Sequence, residues 1–186
     1  MASKITEVRF HGRGGQGVVT ASRLLANAAL LEGKWIQAFP EFGPERAGAP
    51  IKGFTRIGDE KFTIKSAIYT PDVVAVIDPT LPRLVPVTEG LKDDGIVVIN
   101  TPQTPEAVKS ELNVQGTVAA VNATDIALET IGRPIANTAI LGAIVKVTGL
   151  VKLDSLIEAL LEIFKGGVGQ KNVDAIKRSY DEVKTA

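Results

Sequence analysis

The chain has 186 residues, of which 45% are hydrophobic and 23% are charged, values typical of a globular protein with a core of its own. Lys and Arg together number 21, as do Asp and Glu, so the net charge is zero and a nucleic-acid-binding protein is disfavoured. The sequence has no cysteine and one histidine, which excludes disulfides, thiolate-held iron–sulfur clusters and a histidine-rich metal site in this chain.

A strand, a glycine-rich turn and a helix are predicted at the start of the chain. Apolar alternation predicts the strand over residues 7–11, and apolar residues at helical spacing predict the helix over residues 17–31. Between them, Gly12, Gly14 and Gly17 satisfy the pattern G-x-G-x-x-G.

This glycine turn suits an anionic group. Glycine lets the backbone approach another molecule closely, and a helix N-terminus offers free N–H groups and a partial positive charge. The alternative, with equal weight at this point, is that the glycines only let the first helix pack on the sheet. His11, just before the turn, is predicted to have a structural hydrogen-bonding role rather than a functional one.

The second part of the chain predicts a break in a purely parallel order. A strand over residues 35–39 is followed by a long loop, residues 40–50, rich in Pro and Gly. Two strands, residues 51–57 and 61–65, are then predicted to form a hairpin around residues 58–60. An antiparallel hairpin here would make the sheet mixed.

Three continuous apolar runs follow, over residues 73–77, 96–99 and 118–121, as expected of strands buried on both faces. Each ends in polar residues, and in open α/β sheets such carboxyl ends line the binding crevice. The predicted fold is α/β: a single three-layer α/β/α Rossmann-like domain over residues 1–186, with a mostly parallel mixed sheet and an antiparallel hairpin.

The last part of the chain is predicted to be helical, over residues 125–131, 138–148, 155–164 and 173–184. Ser155 and Glu158 fit a capping box at the start of the third of these helices. The glycine-rich segment 166–169 is predicted to be a linker, with a second anion-binding loop as the less favoured alternative, since no apolar strand precedes it.

No apolar run reaches the ~18 residues of a membrane helix, and the N-terminus lacks the apolar core of a signal peptide. The sequence therefore predicts a cytoplasmic protein without a membrane partner.

A stand-alone dinucleotide-binding oxidoreductase is a weaker hypothesis. It needs an acidic residue at the end of the second strand to hold the ribose. Glu41 lies late, after a proline and in the loop, so a nicotinamide site is disfavoured.

Five segments together resemble a known family. They are Gly12–Gly17, Gly43–Pro50, Phe54–Ile57, Pro71–Asp78 and Asn137–Ala143. In this order and spacing they resemble the gamma subunits of the 2-oxoacid:ferredoxin oxidoreductase family over nearly the whole chain. The Glu-Arg-Ala-Gly-Ala-Pro form of residues 45–50 resembles the pyruvate type. The 2-oxoglutarate, 2-oxoisovalerate and indolepyruvate types are the alternatives.

The resemblance implies a multi-subunit enzyme that oxidatively decarboxylates pyruvate with coenzyme A, giving acetyl-CoA and carbon dioxide and reducing ferredoxin. It implies that partner subunits of alpha, beta and delta type hold thiamine diphosphate, magnesium and the iron–sulfur clusters. This chain is expected to hold no cofactor and to be non-catalytic alone.

The ligand expected in this chain is an anionic part of coenzyme A, and the residues expected to bind it are Gly12, Arg13, Gly14, Gly15, Gln16, Gly17, Glu45 and Arg46. The glycine turn would supply N–H groups, and Arg13 and Arg46 would pair with phosphate, because a guanidinium matches two oxygens. The rival interpretation is that Arg46 pairs with Glu41 or Glu45 and only fixes the loop against a partner subunit. A purely structural module also stays open.

Overall fold

One mixed sheet organises the computed structural model, which describes residues 5–41 and 47–186. In the described residues the strands are β1 (Ile5–Arg13), β2 (Trp35–Pro40), β3 (Pro50–Gly58), β4 (Val73–Val76), β5 (Ile96–Asn100), β6 (Thr117–Val121) and β7 (Lys184–Thr185). The helices are α1 (Val18–Leu31), α2 (Pro105–Leu112), α3 (Ala123–Ile131), α4 (Ala136–Thr148), α5 (Leu153–Ile163) and α6 (Gly166–Glu182). A single 3₁₀ turn spans Leu81–Arg83.

The strand order is β2-β3-β1-β4-β5-β6-β7. Strands β1, β4, β5 and β6 are parallel, whereas β3 runs antiparallel to both of its neighbours, β1 and β2. β7 runs antiparallel to β6. Because β2 therefore points the same way as β1, only β3 and β7 oppose the common direction. The predicted mostly parallel mixed sheet is confirmed.

The two faces of the sheet bury separate apolar clusters. On one face, β1, β4, β5 and β6 pack against α1 and the helices α3 to α6. On the other face, the alternate residues of β4, β5 and β6 pack against α2 and the segment containing Leu81 and Val87. Strands β4, β5 and β6 are thus buried on both faces, as their continuous apolar runs predicted.

The predicted hairpin over residues 51–65 is wrong in its second half. Residues 61–65 form no strand, because β1 and β2 already occupy both edges of β3. Side-chain hydrogen bonds instead hold this segment and the two residues that follow it. Arg56 donates to the carbonyl oxygens of Ser66 (2.9 Å) and Ala67 (3.2 Å), and Gln37 donates to that of Ile64 (3.0 Å). The antiparallel pair of consecutive strands is β2 and β3.

Two predictions at helix starts are also wrong. Helix α5 begins at Leu153, so Ser155 lies inside its first turn and is no N-cap. The segment 166–169 is the first turn of α6 rather than a linker. Glycine is needed there because a Cβ on Gly169 would lie 2.2 Å from the Phe164 carbonyl oxygen.

Helix α2 was not predicted, although its start carries local signals. The Thr104 hydroxyl accepts from the Ala107 N–H (3.3 Å), and Pro105 occupies the first helical position. None of the helices in segments 5–41 and 47–186 has the length and apolar content needed to cross a membrane.

Candidate functional site

The candidate site lies where the chain leaves two neighbouring parallel strands in opposite directions. After β1 the chain enters α1 on one face of the sheet, and after β4 it enters the segment that covers the other face. Ligands of open α/β folds bind at such switch points, outside the carboxyl ends of the strands. The glycine turn, residues 12–17, occupies this position at the end of β1.

Positive φ angles shape the turn. Gly15 has φ +91° and Gly17 has φ +74°, and Gly17 is the N-cap of α1. A Cβ on Gly17 would lie 2.2 Å from the Nδ2 of Asn137, which donates to the Gly17 carbonyl oxygen at 3.3 Å. Only glycine therefore lets α1 start beside α4 here.

The start of α1 presents backbone donors to an open cleft. The first backbone bond of the helix runs from the Ala21 N–H to the Gly17 carbonyl oxygen, so the preceding N–H groups have no partner within the helix. Among the side chains of residues 5–41 and 47–186, none caps this end. The cleft, about 550 Å³, is lined by Gly14, Gly15, Gly17, Val18, Val19, Ala47 and Ile51. This surface can receive an anion through backbone N–H groups.

The side chains of Arg13 and Gln16 point to Asp78 at the end of β4. Asp78 Oδ2 accepts from Arg13 Nε (3.1 Å) and from Gln16 Nε2 (2.6 Å). Gln16 also closes the turn, because its Oε1 accepts from the Arg13 N–H at 2.7 Å. In this arrangement both side chains, expected from the sequence to reach a ligand, are bound to the protein itself.

Asp78 is suited to hold a negative charge. Burial raises the pKa of its carboxyl, but hydrogen bonds from Thr80 and Gln16 and the charge of Arg13 outweigh burial and leave the pKa below its ordinary value. Asp78 was not predicted as a site residue. It follows directly on the apolar run of β4, and that position was the available signal.

The loop before β3 is fastened to the glycine turn. The Gly14 N–H donates to the Ala49 carbonyl oxygen (2.9 Å), and the Gly48 N–H donates to that of Gly14 (3.1 Å). Arg13 Nη1 adds a bond to the Gly48 carbonyl oxygen (3.0 Å). The turn and the loop are thus adjacent, as the sequence suggested.

Two of the expected site residues, Glu45 and Arg46, lie outside the described residues. Within the described part, the Glu41 carboxylate pairs with Lys52 Nζ at 3.1 Å.

His11 has the structural role that the sequence favoured. It is buried, and its Nε2 accepts from Arg9 Nε at 3.0 Å. Burial, together with the charges of Arg9 and Lys52, lowers the pKa of His11 to about 3. Over residues 5–41 and 47–186, no three His, Cys, Asp or Glu side chains are grouped so that they could hold a metal ion.

Comparison with known proteins decides the family. Residues 7–182 match the family model described as "Pyruvate ferredoxin/flavodoxin oxidoreductase". The chain belongs to this family. It is 56% identical, over 95% of its length and 96% of the relative's, to the "Pyruvate/ketoisovalerate oxidoreductases common subunit gamma" of Thermococcus kodakarensis. It is 51% identical, over 95% of its length and 96% of the relative's, to the "Pyruvate synthase subunit PorC" of Methanocaldococcus jannaschii.

Solved structures agree. The crystal structure of the pyruvate oxidoreductase subunit PORC of Thermotoga maritima superposes with a TM-score of 0.89 and 47% identity, over 98% of this chain and 99% of that one. A 2-oxoglutarate:ferredoxin oxidoreductase from Magnetococcus marinus shares the fold, with a TM-score of 0.74 and 20% identity, over 96% of this chain and 31% of that longer one. The resemblance found in the sequence is confirmed: this is a gamma-type subunit of a multi-subunit oxidoreductase.

Proposed function

We propose that this gamma-type chain completes a pyruvate:ferredoxin oxidoreductase together with subunits of alpha, beta and delta type. The complex converts pyruvate and coenzyme A into acetyl-CoA and carbon dioxide and passes the electrons to ferredoxin. The relatives named PorC, about half identical to this chain along almost its whole length, support this assignment. A cytoplasmic location is part of the proposal.

The proposal assigns the redox chemistry to the partner subunits. Thiolates normally hold iron–sulfur clusters, and this sequence has no cysteine. Its one histidine is buried, and the Nε2 of that histidine already accepts from Arg9, so it offers no general base to a substrate. Thiamine diphosphate, magnesium and the clusters therefore belong to the other chains, and this chain contributes binding surface.

The observation that carries the binding role is the start of α1 behind the glycine turn, which no side chain in the described part of the chain caps. Gly17, Val18 and Val19, at the start of this helix, line the cleft between the turn and the loop at Ala47. We assign this surface, Gly12 to Gly17, to an anionic part of coenzyme A. Glu45 and Arg46, which directly precede Ala47 in the sequence, remain part of the proposed site, with Arg46 as the phosphate-pairing cation.

The test is Gly15→Val in the assembled complex. Gly15 has φ +91° and no described atom within 4 Å of an added Cβ, so valine strains the turn without a clash. We expect the KM for coenzyme A to rise about tenfold, because a turn that leaves the strained conformation no longer holds its N–H groups in place for the ligand, with the KM for pyruvate unchanged. Gly33→Val is the matched control, because Gly33 has φ +77° and equally open space at the far end of α1.

Arg46→Ala is tested in the same way as Gly15→Val, by the KM for coenzyme A and by assembly of the complex. Normal coenzyme A affinity with failed assembly would mean that the loop is an interface between subunits. If Gly15→Val and Arg46→Ala both leave affinity and assembly normal, neither role of the site survives.

A second candidate is that two complexes share this chain. The relatives named common subunit of pyruvate and ketoisovalerate oxidoreductases are 53% to 56% identical to it, against 51% for the PorC of M. jannaschii. Purification of the tagged chain from its native cell, followed by mass spectrometry, separates the two cases. One set of partner subunits supports a dedicated pyruvate enzyme, and two sets support the shared role.

A further inference from the structure

We infer that Asp78 is the positioning residue of the candidate anion site, acting through Arg13 and Gln16. This inference rests on the proposed function of the glycine turn. Asp78 itself lies at the end of β4, on a different segment from the turn, and is 7% exposed.

Both carboxylate oxygens of Asp78 accept hydrogen bonds from neighbouring residues. Oδ2 accepts from Arg13 Nε and Gln16 Nε2, the two side chains within the turn. Oδ1 accepts from the N–H and the hydroxyl of Thr80, at 2.8 and 2.5 Å. Thr80 holds Oδ1, and this leaves Oδ2 in one orientation, toward the turn.

Through Arg13 the same carboxylate reaches a third segment. Arg13 Nη2 donates to the Thr80 hydroxyl (2.8 Å), and Nη1 donates to the Gly48 carbonyl oxygen. Arg13 thus links the end of β4 to the loop that leads into β3. Asp78, directly and through Arg13, therefore links the end of β4 to the turn and the loop, and the turn and the loop line the cleft.

Two roles of the Asp78 carboxylate predict opposite effects of its removal on anion affinity: one as a negative charge, the other as a group that positions Arg13 and Gln16. A negative charge beside an anion site repels the anion, so removal of the charge by itself would tighten anion binding. If Asp78 acts by holding Arg13 and Gln16, its removal releases the turn and loop and weakens binding. The direction of the change therefore identifies the role.

The experiment replaces Asp78→Asn in the assembled complex and titrates desulfo-coenzyme A by calorimetry. An asparagine keeps the bonds from Thr80 to one oxygen but turns a donor toward Arg13 and Gln16. We expect the Kd to rise about tenfold, the effect of one lost hydrogen bond to a charged group. The KM for coenzyme A should rise equally, with kcat and the KM for pyruvate unchanged.

Asp72→Asn is the matched control. Asp72 precedes β4 at its other end, where its carboxylate accepts from the Glu7 N–H (2.8 Å) and pairs with Lys92. It should leave the Kd unchanged. If Asp72→Asn raises the Kd as much as Asp78→Asn, a general loss of stability explains both and the inference is overturned. An unchanged or lower Kd in Asp78→Asn also overturns it.

Thr80→Val decides the matter if Asp78→Asn does not assemble. It removes the hydroxyl that holds both Asp78 and Arg13 and changes no charge. A rise in Kd of about threefold supports the positioning role, and an unchanged Kd refutes it.

If Gly15→Val itself leaves the Kd for desulfo-coenzyme A unchanged, the proposed anion site is wrong. If Gly15→Val raises it and Asp78→Asn does not, only the role of Asp78 fails.

Discussion

The single histidine of this chain lies in a buried pair with an arginine. Arg9 donates through Nε to His11 and through Nη2 to the carbonyl oxygens of Val87 (3.1 Å) and Glu89 (2.5 Å). Since the imidazole must accept this bond, it stays neutral, and the nearby cations add to the effect of burial. The pair fastens β1 to the segment that follows β4.

This pair gives the chain a defined response to acid. The folded pKa of about 3 lies below the ordinary value of 6.5, so the unfolded chain binds the proton and the folded chain does not. Stability is therefore fully present above pH 6.5 and is lost as the pH falls from 6.5 toward 3. From pH 7 to pH 5 the loss due to His11 is about 2 kcal/mol.

His11→Gln removes this dependence, because an amide oxygen can accept from Arg9 without titrating. Urea unfolding of both proteins at pH 7 and pH 5 measures it. The variant should lose about 2 kcal/mol less than the wild type over this interval. Equal losses would contradict a neutral buried histidine.

Strand β3 depends on a buried arginine. Arg56 is 1% exposed, and its Nε pairs with Glu7 at 2.7 Å. Its guanidinium also lies 5.4 Å from the ring of Phe39. Arg56 thus joins β1, β2 and β3 to Ser66 and Ala67, which directly follow the segment that the sequence predicted as a strand.

Arg56→Ala is expected to lower the free energy of unfolding by about 3 kcal/mol, because it leaves a partly buried carboxylate and several carbonyl oxygens without their partner. Amide exchange should become faster over residues 61–68. Arg178→Ala is the control: its pairs with Glu129 and Glu182 are exposed, and its loss should cost no more than about 1 kcal/mol. Equal losses in the two variants would contradict the role of Arg56.

Helices α4 and α6 approach closely at one glycine. A Cβ on Gly142 would lie 2.1 Å from the Ile176 carbonyl oxygen and 3.0 Å from the Tyr180 nitrogen. Gly142→Ala should force the helices apart and destabilise the chain by about 1–3 kcal/mol.

Gly167→Ala is the matched test in α6, since nothing lies within 4 Å of its added Cβ. It should stabilise the chain by up to about 1 kcal/mol, because alanine is the better helix former. Thermal unfolding of both variants measures the difference. A neutral Gly142→Ala would contradict the close packing of these helices.

Local sequence patterns predicted the elements whose residue types are dictated by their immediate surroundings. The buried strands β4, β5 and β6 were found because both of their faces are apolar, and the glycine turn was found because its positive φ angles demand glycine. The missed features depend on distant partners. Residues 61–65 alternate like a strand, but no free sheet edge reaches them. Arg13 resembles a phosphate ligand in sequence, and only the fold shows Asp78 beside it.

The composition of the chain predicts the behaviour of the purified subunit. With no cysteine, the isolated chain should carry no iron–sulfur cluster and show no oxidoreductase activity. Visible absorbance measures the cluster content, and an assay with pyruvate, coenzyme A and ferredoxin measures the activity. A stoichiometric cluster in the isolated chain would contradict the proposed division of labour.

That residues 1–186 form one domain stays a prediction. The expected result is a single calorimetric transition whose calorimetric and van't Hoff enthalpies agree. Two resolved transitions would contradict it.

The place of β3 between β1 and β2 constrains the order in which this chain can fold. Strand β2 follows β1 in sequence, but among the described strands it pairs with β3 alone, so β2 has no ladder partner until residues 50–58 have been synthesised. Until then α1 also lacks part of the surface that it covers. The first βα unit must therefore wait, on the ribosome, for a strand that comes about 20 residues later, a delay of roughly 1–4 s at ordinary synthesis rates. During that interval the apolar face of α1 is exposed and accessible to chaperones.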